Sequence, residues 1–96
     1  MIDGRTQTHL RFLGSNVHRF RVRAGLTQED LEELSGLDVR FIRRVERGSV
    51  NMRFDTLIRL ARALDVEPAR LLREVAEHTP TSGRPPRKRK PSTKRK

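Results

Sequence analysis

The chain has no cysteine, tryptophan or tyrosine, and only four phenylalanines among its 96 residues. Without cysteine there is no disulfide scaffold and no thiolate zinc site, so the chain fits a reducing compartment. No apolar run approaches the roughly 18 residues of a membrane span. The opening MIDGRTQTHL has no basic-then-apolar leader pattern, and a cytoplasmic location is expected. Hydrophobic residues make up 33% and charged ones 35%, too little apolar material to wall a large enzyme cleft. Acids are outnumbered: 22 Lys+Arg face 12 Asp+Glu, a net charge of +10. A balance this basic points to a polyanion, nucleic acid before an acidic membrane surface.

The positive charge is unevenly placed. Residues 79–96 hold eight Lys and Arg, four of the five prolines, no acid and no large apolar side chain. Such a segment buries too little to offset the entropy of ordering it and reads as a disordered basic tail. A non-specific DNA arm, a membrane-surface patch, a localisation signal or an artefact would each show this composition. Residues 1–78 then carry 14 basic and 12 acidic residues. Any binding face in this near-neutral part must come from segregated charge. The division expected is a domain over 1–78, with its core at about 9–76, and a tail over 79–96.

The pattern within 1–78 is helical throughout. Leu10, Leu13, Val17 and Phe20 repeat at helical spacing and Gly25 closes them, giving a first helix over about 9–24. Thr27 with Asp30 forms a short capping box for a second helix, with Leu31 and Leu34 as its apolar face and Ser35-Gly36 as its end. Asp38 caps a third helix that runs to about Arg47 before Gly48. A fourth carries Phe54, Leu57, Ile58, Leu60, Ala61 and Leu64. Pro68 opens a fifth, with Leu71, Leu72 and Val75 on one side. No strand pattern and no internal repeat appears, so the fold class is all-α with five short helices.

The third helix divides its residues by chemistry. At about 100° per residue, with Val39 at the origin, Arg43, Arg47, Arg40 and Arg44 fall at about 40°, 80°, 100° and 140°. Phe41, Val45, Asp38 and Ile42 take the other side. Such a helix docks on a core and turns guanidinium groups outward, where they suit guanine edges or phosphates. His9, His18 and His78 have no acid or thiol spaced to complete a metal site. Ser15, Ser35 and Ser49 read as cap and turn residues rather than nucleophiles. Neither a metal nor a cofactor is expected, and an enzyme is the weakest reading.

The ordered set Arg21-x-x-x-Gly25-Leu26-Thr27-Gln28-x-x-Leu31, Gly36-Leu37, Ile42-x-x-Val45-Glu46-Arg47-Gly48 and Leu57-x-x-Leu60-Ala61-x-Ala63-Leu64-x-Val66 resembles the Cro/phage-repressor, or xenobiotic-response-element, type of helix-turn-helix protein. The resemblance runs from about Leu13 to Leu72 and implies a lambda-repressor-like DNA-binding domain. It implies a phosphate contact for Gln28 and base contacts for Val39, Arg40 and Arg44. Arg43 and Arg47 beside them would take phosphates. Asn51 and Arg53 would touch backbone or minor groove. Arg21 and Glu46 would form an ion pair locking the first helix to the third. Family members often carry Ser, Thr or Gln at the base-reading positions; the arginines here favour guanine, and Val39 suits a thymine methyl.

The function expected is sequence-specific transcription regulation by a homodimer on a two-fold symmetric operator, with Leu71, Leu72 and Val75 in the dimer seam. Phage repressors, antitoxin-type regulators and restriction–modification controller proteins share this small size, and the bacterial or phage setting is theirs. An antitoxin-type protein-binding regulator and a nucleoid-associated protein of low sequence preference are the alternatives.

Overall fold

The computed structural model describes residues 2–75. The tail expected over 79–96, and the domain boundary before it, lie outside the described residues. Five helices follow one another: α1 Gly4–Arg23, α2 Gln28–Ser35, α3 Val39–Glu46, α4 Phe54–Leu64 and α5 Pro68–Leu71. The described residues contain no strand.

Helix α1 is the scaffold: α3 packs on one side of it, α5 on another, and α4 also touches it. Its Leu10, Leu13, Val17 and Phe20 are buried, as their spacing predicts. They meet Leu31 from α2, Ile42 and Val45 from α3, Leu57, Leu60 and Leu64 from α4, and Leu71 from α5 in one core. The helix begins at Gly4, six residues before its apolar pattern does. Asp3 caps it by accepting a hydrogen bond from the Thr6 amide at 2.7 Å. The Gln7 side chain then donates through Nε2 to the Gly48 carbonyl at 2.8 Å, a tertiary contact that periodicity cannot reveal. At the other end the Leu26 amide reaches back to the Arg21 carbonyl at 3.0 Å, with Gly25 at φ +76°. That is a Schellman closure, and it needs the left-handed residue.

Two apolar side chains depart from the expected faces. Leu31 is buried, but Leu34 is 58% exposed, and Ser35 takes the inner position one turn after Leu31. Phe54, opening α4, is 72% exposed.

Helix α5 is four residues long and stops short of Val75, which was expected to lie on it, and a buried asparagine explains the difference. Asn16, wholly buried in α1, donates through Nδ2 to the Leu71 carbonyl at 3.0 Å and to the Arg73 carbonyl at 2.9 Å. A longer α5 would have directed the Leu71 carbonyl to the Val75 amide. The expectation that Leu71, Leu72 and Val75 share one outward seam is corrected accordingly. Leu71 is fully buried in the monomer core, Leu72 is 46% exposed, and Val75 is half-buried beyond the helix end.

Helix α1 meets the end of α3 at Gly14. A side-chain carbon there would collide with the Val45 carbonyl oxygen, and would sit 2.9 Å from the Glu46 carbonyl and 3.0 Å from the Gly48 amide. All three are backbone atoms and cannot swing aside. Gly14→Ala should therefore destabilise by about 1–3 kcal/mol through overpacking. Three backbone contacts at once put the loss in the upper part of that range, so the gain of about 1 kcal/mol that alanine brings to a helix interior still leaves a net loss of about 1–2 kcal/mol. Urea unfolding of the two chains measures it. An alanine chain as stable as the parent would contradict so close an approach.

Candidate nucleic-acid interface

The α2–α3 pair is built by local hydrogen bonds. Thr27 Oγ1 accepts from the Asp30 amide at 2.9 Å and the Thr27 amide donates to Asp30 Oδ2 at 2.9 Å, so the capping box is closed in both directions. Gly36, at φ +78°, ends α2, and Ser35 Oγ accepts from the Leu37 amide at 3.1 Å. Asp38 then caps α3 by accepting from the Arg40 amide at 2.7 Å. That backbone hydrogen bond, followed by one from the Arg40 side chain, holds the Asp38 carboxyl below its ordinary range. The cap stays ionised at neutral pH, and its charge favours the positive end of α3.

Ile42 and Val45 are buried, and Val39 and Phe41 are half-buried. Arg40, Arg43, Arg44 and Arg47 are exposed. Arg47 is the C-cap of α3 rather than a residue within it. The guanidinium of Arg44 lies over the Phe41 ring, 5.8 Å from its centroid. Arg40 reaches only its own cap, with Nε 3.5 Å from Asp38 Oδ1. Asn51 and Arg53 sit exposed in the connection from α3 to α4, where Arg53 pairs with Asp55 at 3.0 Å.

One carboxylate joins three helices behind this face. Glu46, its side chain 7% exposed, accepts from Arg21 Nε at 2.7 Å and Arg21 Nη2 at 3.1 Å. It also accepts from Gln28 Nε2 at 3.1 Å. His18 Nδ1 stands 3.0 Å from Glu46 Oε1; a carboxylate only accepts, so this contact is a hydrogen bond in the tautomer that carries its proton on Nδ1. Arg21 Nη1 donates to the Leu26 carbonyl at 2.8 Å, which ties the turn before α2 to the same group. The Glu46 carboxyl feels burial, which would raise its pKa. Hydrogen bonds from Arg21, His18 and Gln28, with the Arg21 charge, outweigh burial and hold it below its ordinary range.

Gln28, expected to face a phosphate, is engaged within the protein. Its Nε2 is on Glu46, and its Oε1 accepts from Arg43 Nε at 3.1 Å. Glu46 can only accept and Arg43 can only donate, so the amide has one orientation. Arg43 Nη2 lies 3.7 Å from Glu29 Oε2, which makes Arg43 the arginine of α3 that α2 holds. Sequence reasoning missed the part played by His18. The signal was its position one helical turn before Arg21 on the same face of α1.

Comparison with known proteins agrees with this architecture. The profile of the helix-turn-helix family HTH_3 matches residues 17–71. The chain is 39% identical over 75 residues to the HTH-type transcriptional regulator y4dJ of Sinorhizobium fredii, covering 78% of this chain and 90% of that protein. It is 43% identical over 60 residues to the control protein C.SmaI of Serratia marcescens, covering 62% of this chain and 71% of that protein. The crystal structure of the restriction–modification controller protein C.AhdI from Aeromonas hydrophila superposes with a TM-score of 0.62 at 42% identity, over 65% of this chain and 94% of that one. The chain belongs to the HTH_3 helix-turn-helix family, a family of DNA-binding transcription regulators rather than enzymes. No helix among the described residues is long and apolar enough to cross a membrane.

The Glu46 network sets a pH dependence. A carboxyl whose pKa is lower in the folded than in the unfolded state stabilises above its unfolded value, and the contribution is lost as pH falls through the folded value. Glu46→Gln leaves Arg21 without its anion. One-sided removal costs about 3–5 kcal/mol in a fully buried pair; with Arg21 and His18 at the rim, about 2–3 kcal/mol is expected. Urea unfolding from neutral pH into acid should show the parent's advantage over Glu46→Gln shrinking as Glu46 protonates. An advantage that acid leaves unchanged would contradict the ion pair.

Proposed function

We propose that the chain is a sequence-specific transcription regulator that inserts α3 into the major groove of a two-fold symmetric operator, as a homodimer. The observation that carries this is the division of α3. Ile42 and Val45 are sealed against α1 and α2, while Arg40 and Arg44 stand exposed with no partner beyond their own helix and its cap. Arg40, Arg44 and Val39 read base edges; a bidentate arginine–guanine contact discriminates by about 1–3 kcal/mol. Arg43, Arg47, Gln28, Asn51 and Arg53 surround them as backbone contacts. Arg43 approaches its phosphate already oriented by Gln28. The exposed Leu72 and half-buried Val75 supply the apolar part of the dimer seam. The control and controller proteins among the relatives support a narrower role in governing restriction–modification genes.

Selecting binding sites from random duplexes with the full chain tests all of this. The selected sequences should be palindromes whose half-site centres lie about 34 Å apart, one turn of DNA. Each half should contain a guanine whose preference is lost in Arg40→Ala or Arg44→Ala. Unpaired half-sites would refute the dimer. Equal weakening by both substitutions on selected and random DNA would reassign both arginines to phosphates.

A further inference from the structure

A second group of arginines lies on the side of α1 turned away from α3. Arg19 and Arg23 sit about 140° and 180° around α1 from Gly14, the residue that abuts the end of α3. Arg70 and Arg73 come to the same place from α5 and the residues after it. The buried Phe20 ring gathers three of them: the guanidinium carbons of Arg70, Arg19 and Arg23 lie 5.1, 5.2 and 5.8 Å from its centroid. Asn16 sets the other constraint. Its Oδ1 accepts from Arg19 Nη2 at 2.8 Å, and its Nδ2 holds the Arg73 carbonyl. A wholly buried amide and a buried ring thus fix the arrangement, while all four arginines stay exposed.

The grouping is unfavourable by itself. Desolvation, then the charges of Arg23, Arg70 and Arg73, push the Arg19 guanidinium below its ordinary pKa. Among the described residues none of the four has a carboxylate within 4.0 Å. Like charges held together on a built support, with no carboxylate in contact among the described residues, suit an external anion.

We propose that Arg19, Arg23, Arg70 and Arg73 grip the phosphate backbone of a second DNA segment while α3 occupies the first. Guanidinium groups take phosphate oxygens in pairs, and four of them match an extended anion better than a single small ion. The described chain ends at Val75, two residues past Arg73. The sequence beyond supplies eight more Lys and Arg between 79 and 96 with no acid among them. A long continuous anion fits that run; a folded acidic protein surface would have to match it patch by patch. A duplex seated on α3 lies across two helix diameters, roughly 20 Å, from this cluster. The two sites therefore take different segments, and the protein bridges them. This inference rests on DNA being the partner of the chain.

The test is capture of a second duplex. The full chain is bound to an immobilised random-sequence duplex about three turns long, and a fluorescent copy is added over a range of salt. Arg70→Gln/Arg73→Gln should lower capture of the free duplex about tenfold and reduce the log–log salt slope of capture by about 2. Arg70→Lys/Arg73→Lys should keep most of both, because the charge remains. If the first pair of substitutions abolishes the melting transition, Arg23→Gln/Arg73→Gln makes the same comparison. Capture and slope unchanged in a folded glutamine variant would overturn the proposal. So would unchanged duplex capture with loss of binding to a polyglutamate peptide, which would assign the cluster to an acidic protein. A parent chain that retains neither duplex fails the DNA reading itself rather than the second site.

Discussion

The buried carboxylate of Glu46 is the point on which the helix-turn-helix depends. Four hydrogen-bonding groups from three side chains converge on its two oxygens, from α1 through His18 and Arg21 and from α2 through Gln28. Glu46 is the last residue of α3. The arginine helix is therefore fixed at its C-terminal end by a charge and at its N-terminal end by the Asp38 cap. Both helices of the pair are only eight residues long, too short to be stable alone in water. Their mutual angle is a property of these contacts and of the core beneath them, not of the helices themselves. Through Gln28 the same carboxylate reaches Arg43, so charge behind the face helps arrange charge upon it.

Close backbone approach makes that network possible. Gly14 lets α1 lie against the last carbonyls of α3, which brings His18 and Arg21, one and two turns further along, level with Glu46. On the opposite flank Asn16 performs a related task for α5, capturing carbonyls that a longer helix would have used. Helix α1 thus carries three kinds of contact on three faces. One is a glycine and ion-pair face for α3, one an apolar stripe for the core, and one an asparagine–phenylalanine–arginine face for α5.

The elements visible in the sequence were those whose signals are local. The Leu10–Leu13–Val17–Phe20 repeat, the Thr27–Asp30 capping box and the Asp38 cap each lie within one or two helical turns, and each appears where its spacing put it. The α3 division into apolar and arginine faces was likewise a matter of periodicity. The first turn of α1 was not legible, because Gly4 to Thr8 bear no apolar pattern and are held by Asp3 and by a hydrogen bond to Gly48, 41 residues from Gln7. The early end of α5 was hidden in Asn16, 55 residues before the carbonyl it captures. Periodicity also placed Leu34 inward, but it is exposed, because Leu31 and Ser35 fill the short contact that α2 makes with the core. The arginine cluster around Phe20 draws on both ends of the domain, and no window of sequence contains it.

Glu46 aims a face to which it does not itself belong. The direct test is the affinity of the Glu46→Gln chain for a selected duplex, measured at a temperature where parent and variant are both fully folded. Loss of the anion should free Arg21 and Gln28, let α3 tilt, and weaken specific binding by about tenfold, or 1.4 kcal/mol. The salt slope should hold steady because no phosphate contact has been removed. Specific affinity equal to the parent's, in a variant that is merely less stable, would show that the network supports the fold without aiming the helix, and would contradict the account.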